Sequence, residues 1–564
     1  MYLRTPRLSY ILFLHLAGMP AAYFLTGFLS NFYPKFHQFV LVSVLTQMVC
    51  GLFMILFFDD RLTGLIQNWR KRWISLLTFL VVFSLSITAV LISWQFPEIF
   101  NRRIIFMDVA RMPLFLSTAL ISVLGIVILI RWLEHKGWVV WFKATSLFYF
   151  IQVHLEGVLL AAMFFFVYFV FAQTVNFPQH NTLDLNFDID NSQWIARLTS
   201  PPTDDMPLIR AVHPAVMLFL RPLIWLLSIP LNGDRLQAAL MLNALAGSAC
   251  VFLAWVIVKN FSNSTYALIV ASLLGGSASH LLLGSVIETY IFSALALLAF
   301  VLLLQTDRTS LDWTIPMGIL IFGITITNLA QACILYFLKL SRFKLLVMFI
   351  LAVVAATLLL NVVQVGLFPS AQPLYNPESL TVEKHYVINP SDAFWRLQGR
   401  INLISRAVLL YGIAAPKPFI LTQELGTDFP NFRTYKITVG RVNVAGYKGM
   451  GDFVIKLWVA LLAIAIILTI KNFIKSPKQE MLSLGLALCL GFNFLLHTLY
   501  GDDPMLYSPD WVYALVLLVA FSFRNWANSQ WFQLALVIFV GMVIYNNLEL
   551  FRQIMTVYTP LFSR

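Results

Sequence analysis

Charge is what this sequence has least of. Only 11% of its 564 residues are Asp, Glu, Lys or Arg, and mean hydropathy is +0.81. Soluble globular domains carry about 25% charged residues, so that class is excluded. Cysteine is scarce too. Cys50, Cys250, Cys333 and Cys489 each stand alone in an apolar run, which indicates neither a disulfide framework nor a zinc site. No repeat of short period is visible, which argues against a repeat array. The net charge of +12 has no compact basic domain behind it, so no nucleic-acid partner is expected. A cleavable leader is not expected either: the first apolar run, 9–30, is long enough to span a bilayer and no small-residue cleavage site follows it.

Long apolar runs fill the space that charge leaves. Runs of roughly 20 residues, enough to cross a hydrocarbon core of about 30 Å, recur along the chain. The expected fold is an all-α polytopic membrane protein of about fifteen transmembrane helices, near 9–30, 36–58, 73–95, 113–132, 147–173, 236–258, 265–285, 289–305, 313–328, 329–340, 344–367, 453–471, 480–498, 510–523 and 530–550. A cytoplasmic N-terminus puts most Lys and Arg of the short loops inside, from Arg4 and Arg7 through Arg70, Arg72 and Arg131 to Lys471 and Lys478. The short outer loops then keep Lys35, Arg102, Arg103 and Arg111, and the polar segments 174–235 and 368–452 lie outside. The piece 212–230, interrupted by Arg221 and Pro222, reads as an interfacial helix with Arg221 snorkelling to water. Four regions result: an N-terminal membrane extension (1–146), a membrane core with an acidic outer loop (147–367), an outer region (368–452) and C-terminal membrane helices (453–564). Within 368–452 the run 391–413 is mildly amphipathic. Its Arg396, Arg400 and Arg406 face either lipid phosphates or water.

Ionisable residues at the membrane boundary are costly and so are functional candidates. Four sets stand out. "NFDIDNSQW" carries Asp188 and Asp190 two apart, so in an extended segment only one of them faces a given cleft. A carboxylate there suits general-base work, because desolvation raises its pKa; solvated loop acids are the plain alternative. His213-Pro214 opens the interfacial helix, where free backbone N–H groups suit an anion, or where the histidine is simply a cap. Glu288 and Tyr290 sit in a very short outer turn. "LLHTLYGDDPMLYSPDW" brings His497, Tyr500, Asp502, Asp503, Tyr507 and Ser508 to another outer connection, part of which reads as an aromatic belt. All four sets fall on one face under a topology set by Lys and Arg alone.

In its order of features the chain resembles the GT-C superfamily of membrane glycosyltransferases, which includes protein O-mannosyltransferases and lipid A aminoarabinose transferases. The resemblance covers roughly 147–525. "FDIDNSQWIARL" matches the first acidic motif, "VHPAVMLFL" the His-Pro helix, Arg235 the arginine opening the next span, and Glu288 the second acidic position. The four N-terminal spans and the Asp-Ile-Asp spacing depart from the family pattern. The resemblance implies a GT-C-like core, a periplasmic or extracellular active site in a bacterial inner membrane, and transfer of a sugar from a polyprenyl-phosphate donor to a lipid, glycan or protein acceptor. Asp190 or Asp188 would be the base, with Glu288 orienting the acceptor or a cation. His213, Arg235, Tyr290, Arg400, His497, Asp502 and Tyr507 would bind substrate. No cofactor is singled out, and Mg²⁺ or Mn²⁺ is a candidate for the carboxylates, whose spacing does not demand one. The competing readings are an O-antigen-ligase-like enzyme using arginines of 368–452, a lipid or solute transporter, and a structural membrane subunit.

Overall fold

The computed structural model describes residues 8–176, 185–203, 205–388, 394–422 and 430–561. Arg4, Arg7 and the start of the amphipathic run at 391–393 lie outside them. The described helices are α1 (Leu8–Leu29), α2 (Phe36–Trp94), α3 (Met112–His135), α4 (Trp138–Lys143), α5 (Ser146–Val175), α6 (Asn191–Thr199), α7 (Val216–Ser228), α8 (Arg235–Phe261), α9 (Ser264–Gly275) and α10 (Ala278–Leu283). They continue as α11 (Tyr290–Gln305), α12 (Leu311–Ile324), α13 (Asn328–Leu340), α14 (Phe343–Leu367), α15 (Phe394–Arg406), α16 (Met450–Lys475), α17 (Met481–Leu499), α18 (Pro509–Ser522) and α19 (Gln530–Tyr558). The chain is an almost wholly helical, polytopic membrane protein: among the described residues ten helical segments are long and apolar enough to cross a membrane.

Five of the fifteen expected spans are shorter than that. α9, α11, α12, α13 and α18 have 12 to 16 residues. At about 1.5 Å per residue they reach roughly 18–24 Å, short of a hydrocarbon core of about 30 Å. The expected loop between 36–58 and 73–95 is helical instead. No proline interrupts residues 59–71, and α2 runs unbroken through them.

The chain divides into two compact units. One comprises residues up to Trp73, Phe100–Leu159 and Ile229–Gly233. Its interior holds small apolar clusters, such as Ile11, Leu14, Ile55, Ile126 and Ile130, beside a polar string. In that string Ser122 donates to Gln47 Oε1 (3.0 Å), and the Gln47 amide donates to Phe115 O (2.9 Å). His15 Nε2 lies 3.2 Å from Ser122 Oγ. The string satisfies polar groups that would each be costly to bury alone.

The other unit comprises Ile74–Ile99, Leu160–Ser228 and Asp234 to the end of the chain. α8, α9, α11 and α18 form its centre, and every residue of α18 is buried. Helix starts are set locally. Asp234, Asn263 and Ser277 accept from the backbone N–H of Gln237, Tyr266 and His280, capping α8, α9 and α10. α7, the expected interfacial helix, has Pro222 inside it. Its Arg221 does not reach for water as expected. It donates to the carbonyls of Arg197 (2.8 Å) and Ser200 (2.7 Å), acceptors that the end of α6 leaves free.

Region 368–452 departs from an all-α description. Two small antiparallel pairs form there, β1 (Phe419–Leu421) with β2 (Asn431–Arg433) and β3 (Tyr435–Thr438) with β4 (Arg441–Val444). The alternating, β-branched "YKITVGRVNV" favours strands, and Gly440 at φ +69° makes the turn between β3 and β4.

Candidate functional site

Four loops of the larger unit converge at one end, and neutral side chains hold two of them. The turn before Glu288 is tied down by two asparagines. Asn176 donates to Ser285 O (2.6 Å) and accepts from Ile287 N (3.1 Å), while Asn243 donates to Leu283 O and Val286 O, both at 3.0 Å. The His213-Pro214 step is anchored by α14. Gln364 donates to His213 O (3.0 Å) and accepts from Met217 N (2.9 Å), and Asn361 donates to Pro214 O (3.0 Å). The same step pairs with the break between α12 and α13, through Ala215 N to Gly323 O (2.9 Å) and Ile326 N to Val212 O (3.1 Å).

The structure separates the two aspartates. Phe187 and Asp188 are both left-handed at φ +58°, a conformation that costs a non-glycine residue about 1 kcal/mol. Phe187 N donates to Phe432 O (2.9 Å) and Phe432 N to Leu185 O (2.8 Å), locking this turn onto β2. Asp188 forms an ion pair with Arg433 and accepts from Asp503 N at 3.4 Å. Asp503 is fully buried and accepts from Thr434 N (2.6 Å) and Thr434 Oγ1 (2.8 Å). Asp188 and Asp503 thus fasten the acidic loop, β2 and the 500–508 loop to one another.

Asp190 is placed differently. It precedes α6 without capping it. Burial raises its pKa, Arg210 and Arg197 pull it back down, and Asp502 adds to the rise. Glu288 is 2% exposed. Its Oε1 accepts from Thr289 N (2.7 Å) and Thr289 Oγ1 (3.1 Å), while Oε2 has no hydrogen-bond partner among the described residues. Burial and then the Asp190 carboxylate push Glu288 up to about 8. Two carboxyl groups thus share one low-dielectric site with two guanidiniums, an environment that favours the protonated form of Glu288.

Arg210, which the sequence did not single out, is the best-connected cation here. It pairs with Glu383 at 3.5 Å, lies 4.9 Å over the Tyr386 ring and interacts with Asp190, Tyr290 and Tyr500. Glu383 in turn accepts from the Tyr500 hydroxyl. Arg197 packs over Trp194 at 4.6 Å and donates to Gln193 Oε1 at 2.6 Å. Arg210 stands three residues before His213, and Arg197 lies within the quoted "FDIDNSQWIARL". Proximity to those motifs was the one available signal for either.

A cavity of about 30 Å³ lies beside these groups, bordered by Arg210, His213, Tyr290, His497, Tyr500 and Tyr507. It has the volume of about one water molecule. Tyr507 stacks on His497 at 4.4 Å and meets Tyr290 edge-on at 5.2 Å. His213 Nδ1 lies 2.7 Å from Ile324 O and therefore carries the proton. Burial first, then Arg210, lowers its pKa to about 3. The ring is neutral, and its Nε2 is left as an acceptor.

The expected substrate-binding set is therefore brought together only in part. His213, Tyr290, His497 and Tyr507 border the cavity, and Asp502 interacts with Asp190. Arg400 spends its guanidinium on the carbonyls of His497 (3.0 Å), Tyr500 (3.2 Å), Gly501 (2.7 Å) and Asp502 (2.8 Å), which makes it a positioning residue. Arg235 lines a separate apolar groove of about 300 Å³ with Arg221, Trp225, Leu367 and Phe368. Among the described residues no three His, Cys, Asp or Glu side chains gather as metal ligands. A divalent cation would have to use Asp190 and Glu288, where Arg210 and Arg197 already supply positive charge. Compared with protein-family models, curated proteins and solved structures, the chain matches none.

Proposed function

We propose that the chain is an inverting membrane glycosyltransferase that moves a sugar from a polyprenyl-phosphate donor to an acceptor hydroxyl at the outer face of the membrane. The observation that carries this reading is the pairing of Asp190 and Glu288, both raised in pKa, with Arg210 and Arg197 at a loop-built end of the larger unit. Asp190 takes the proton of the acceptor hydroxyl as its oxygen attacks the anomeric carbon. The bond from that carbon to the phosphate oxygen breaks, and the lipid phosphate departs as an anion. Arg210 and Arg197 stabilise the charge that develops on it. Glu288, protonated, donates to a sugar or acceptor oxygen, and His213 accepts from a hydroxyl. A phosphate leaving group is already a stable anion, so the widely separated acid and base of a glycosidase are not required. The groove beside Arg221 and Arg235 would take the apolar part of the donor. On this reading the Lys and Arg count sets the N-terminus in the cytoplasm and the site at the outer face, and the membrane is taken as a bacterial inner membrane with the site in the periplasm.

The test is release of polyprenyl phosphate by the purified protein from a panel of polyprenyl-phosphate sugars. Wild type consumes a donor and Asp190→Asn does not. Donor left intact by wild type refutes the proposal. A transporter is the second reading, favoured by the break at Thr325–Thr327 between α12 and α13 and by the buried Asp510 bonded to Asn328 at 2.9 Å. It is supported instead if the intact molecule crosses proteoliposomes without cleavage.

A further inference from the structure

A second, larger pocket lies at the same end of the larger unit, where α16 begins and α19 ends. Its volume is about 470 Å³, and its lining includes Lys417, Lys448, Arg552, Asn546 and Gln553, with Glu549 as its one carboxylate. Its floor is rigidly built. Asn546 donates to Ala415 O (3.0 Å), Ala415 N donates to Asn547 Oδ1 (2.8 Å), and Tyr447 OH donates to Ala414 O (3.0 Å). Lys417 N donates to Gly446 O at 2.9 Å, an isolated bridge that fixes Lys417 against the segment leading to Lys448. Three exposed cations and two carboxamides over a fixed floor suit an anionic, oxygen-rich group.

The surroundings indicate which kind. Both helices flanking the pocket are apolar enough to cross a membrane. Just beyond it they present bare apolar side chains, Met450 at 45% and Phe453 at 53% exposure on α16 and Tyr545 at 63% on α19. Such faces are covered by acyl chains. We infer that the Lys417–Lys448–Arg552 pocket binds the phosphate headgroup of an anionic membrane lipid whose chains lie along α16 and α19. This site does not depend on the proposed transferase chemistry. None of its residues belongs to the Asp190–Glu288 cluster, yet Tyr558 at the end of α19 donates to Asn186 Oδ1 (3.0 Å), in the acidic loop. An occupied pocket therefore steadies the helix end on which that loop rests.

The experiment uses the full chain in detergent, with native mass spectrometry and thermal midpoints read during titration with phosphatidylglycerol, phosphatidylcholine or soluble glycerol phosphate. Phosphatidylglycerol is expected to stay bound and raise the midpoint, whereas phosphatidylcholine does not. Combining Lys417→Gln, Lys448→Gln and Arg552→Gln weakens phosphatidylglycerol binding at least about ten-fold, because each cation near an anionic headgroup contributes appreciably. A control carrying Lys471→Gln and Lys475→Gln, which removes exposed charge at the far end of α16, binds like wild type. Equal binding by the triple variant, or equal retention of phosphatidylcholine, overturns the inference. Glycerol phosphate binding as tightly as the lipid overturns the assignment to a lipid.

Discussion

Asp188 and Asp190 are two residues apart, and changing each to asparagine is expected to give opposite results. In Asp188→Asn the left-handed backbone at φ +58° survives, since asparagine tolerates it nearly as well as aspartate. The charge opposite Arg433 is lost. That pair is mostly enclosed, with side-chain exposures of 17% for Asp188 and 15% for Arg433. A hydrogen bond to a charged group contributes about 1.5–3 kcal/mol, and the residual exposure places this one near the middle of that range. Asp188→Asn should therefore destabilise by about 2 kcal/mol. Because Asp188 also accepts from Asp503 N, the 500–508 loop loosens with it. Asp190→Asn removes attraction to Arg210 and Arg197 but also repulsion from Asp502 and Glu288. These contributions oppose one another, and the net change should stay within about 1 kcal/mol.

Thermal midpoints of the detergent-solubilised protein and release of polyprenyl phosphate, measured on the same preparations, separate the two roles. Asp188→Asn is expected to melt several degrees below wild type and to keep measurable turnover below its midpoint. Asp190→Asn is expected to melt within about a degree or two of wild type with turnover lowered at least about 100-fold, the scale of a lost general base. If Asp190→Asn turns over donor like wild type while Asp188→Asn is stable and inactive, the roles are reversed and the reasoning from the Arg433 pair fails.

Glu288 and His213 set the pH limits of stability. A carboxyl raised from 4.5 to about 8 stabilises the fold fully below its ordinary pKa, and that contribution is lost as pH rises from there to about 8; Glu288→Gln should flatten the fall of the thermal midpoint across that window. A histidine lowered to about 3 works the other way: protonation in the unfolded chain erodes stability as pH falls below about 6.5, so the midpoint should drop on the acid side and His213→Asn should blunt that drop. Gly501 holds φ +95°, and a Cβ there would stand 2.7 Å from the Tyr507 ring; Gly501→Ala should cost on the order of 1–3 kcal/mol in thermal stability and disturb the stack on His497. Gln364→Leu leaves His213 O and Met217 N without their partner and should cost about 1–3 kcal/mol for each buried group; a midpoint equal to wild type would show that water replaces the amide.

The apolar runs made most of the fold legible, because a spanning helix must be both long and apolar. They placed α11, α12, α13 and α18 to within four residues at each end but counted them as spans, and they ran 265–285 together where the chain breaks into α9 and α10: helices buried among other helices are as apolar as spanning ones, so composition alone does not tell the two apart. The continuity of α2 was hidden for the opposite reason, since the polar stretch 59–71 reads as a loop although nothing in it breaks a helix. At the site, Asp190, Glu288, His213, Tyr290, His497 and Tyr507 could be picked out because polar residues are conspicuous in apolar surroundings. Arg210, Arg197, Glu383 and Tyr386 were passed over because they lie in stretches already polar. Only the tertiary pairing of Arg210 with Glu383, 173 positions apart in sequence, distinguishes them from solvated loop residues.

The division of labour among polar groups in the larger unit gives the strongest reason to look for chemistry at Asp190 and Glu288. Its buried turns and breaks are satisfied largely by carboxamides: Asn176, Asn243, Asn361, Gln364 and Asn547 each bond two or more groups from distant segments. A carboxamide offers donor and acceptor together without the desolvation cost of a charge, so it is the economical way to fasten backbone in an apolar interior. Several charges that are buried here for structure have their partners in full view: Arg400 on four carbonyls, Asp503 on Thr434, Asp188 on Arg433. Glu288 has no such excuse. An alanine or glutamine would fill its place at lower cost, and its Oε2 has no hydrogen-bond partner among the described residues while the Asp190 carboxylate acts on it electrostatically. A buried carboxyl whose pKa is raised by burial first and then by a second carboxylate costs stability that the two Thr289 hydrogen bonds to one of its oxygens return only in part. Binding or reacting with a substrate is what such an arrangement can return, and this is why the Asp190–Glu288 pair, rather than the more numerous arginines of 368–452, is the place where loss of one charge should abolish activity while sparing the fold.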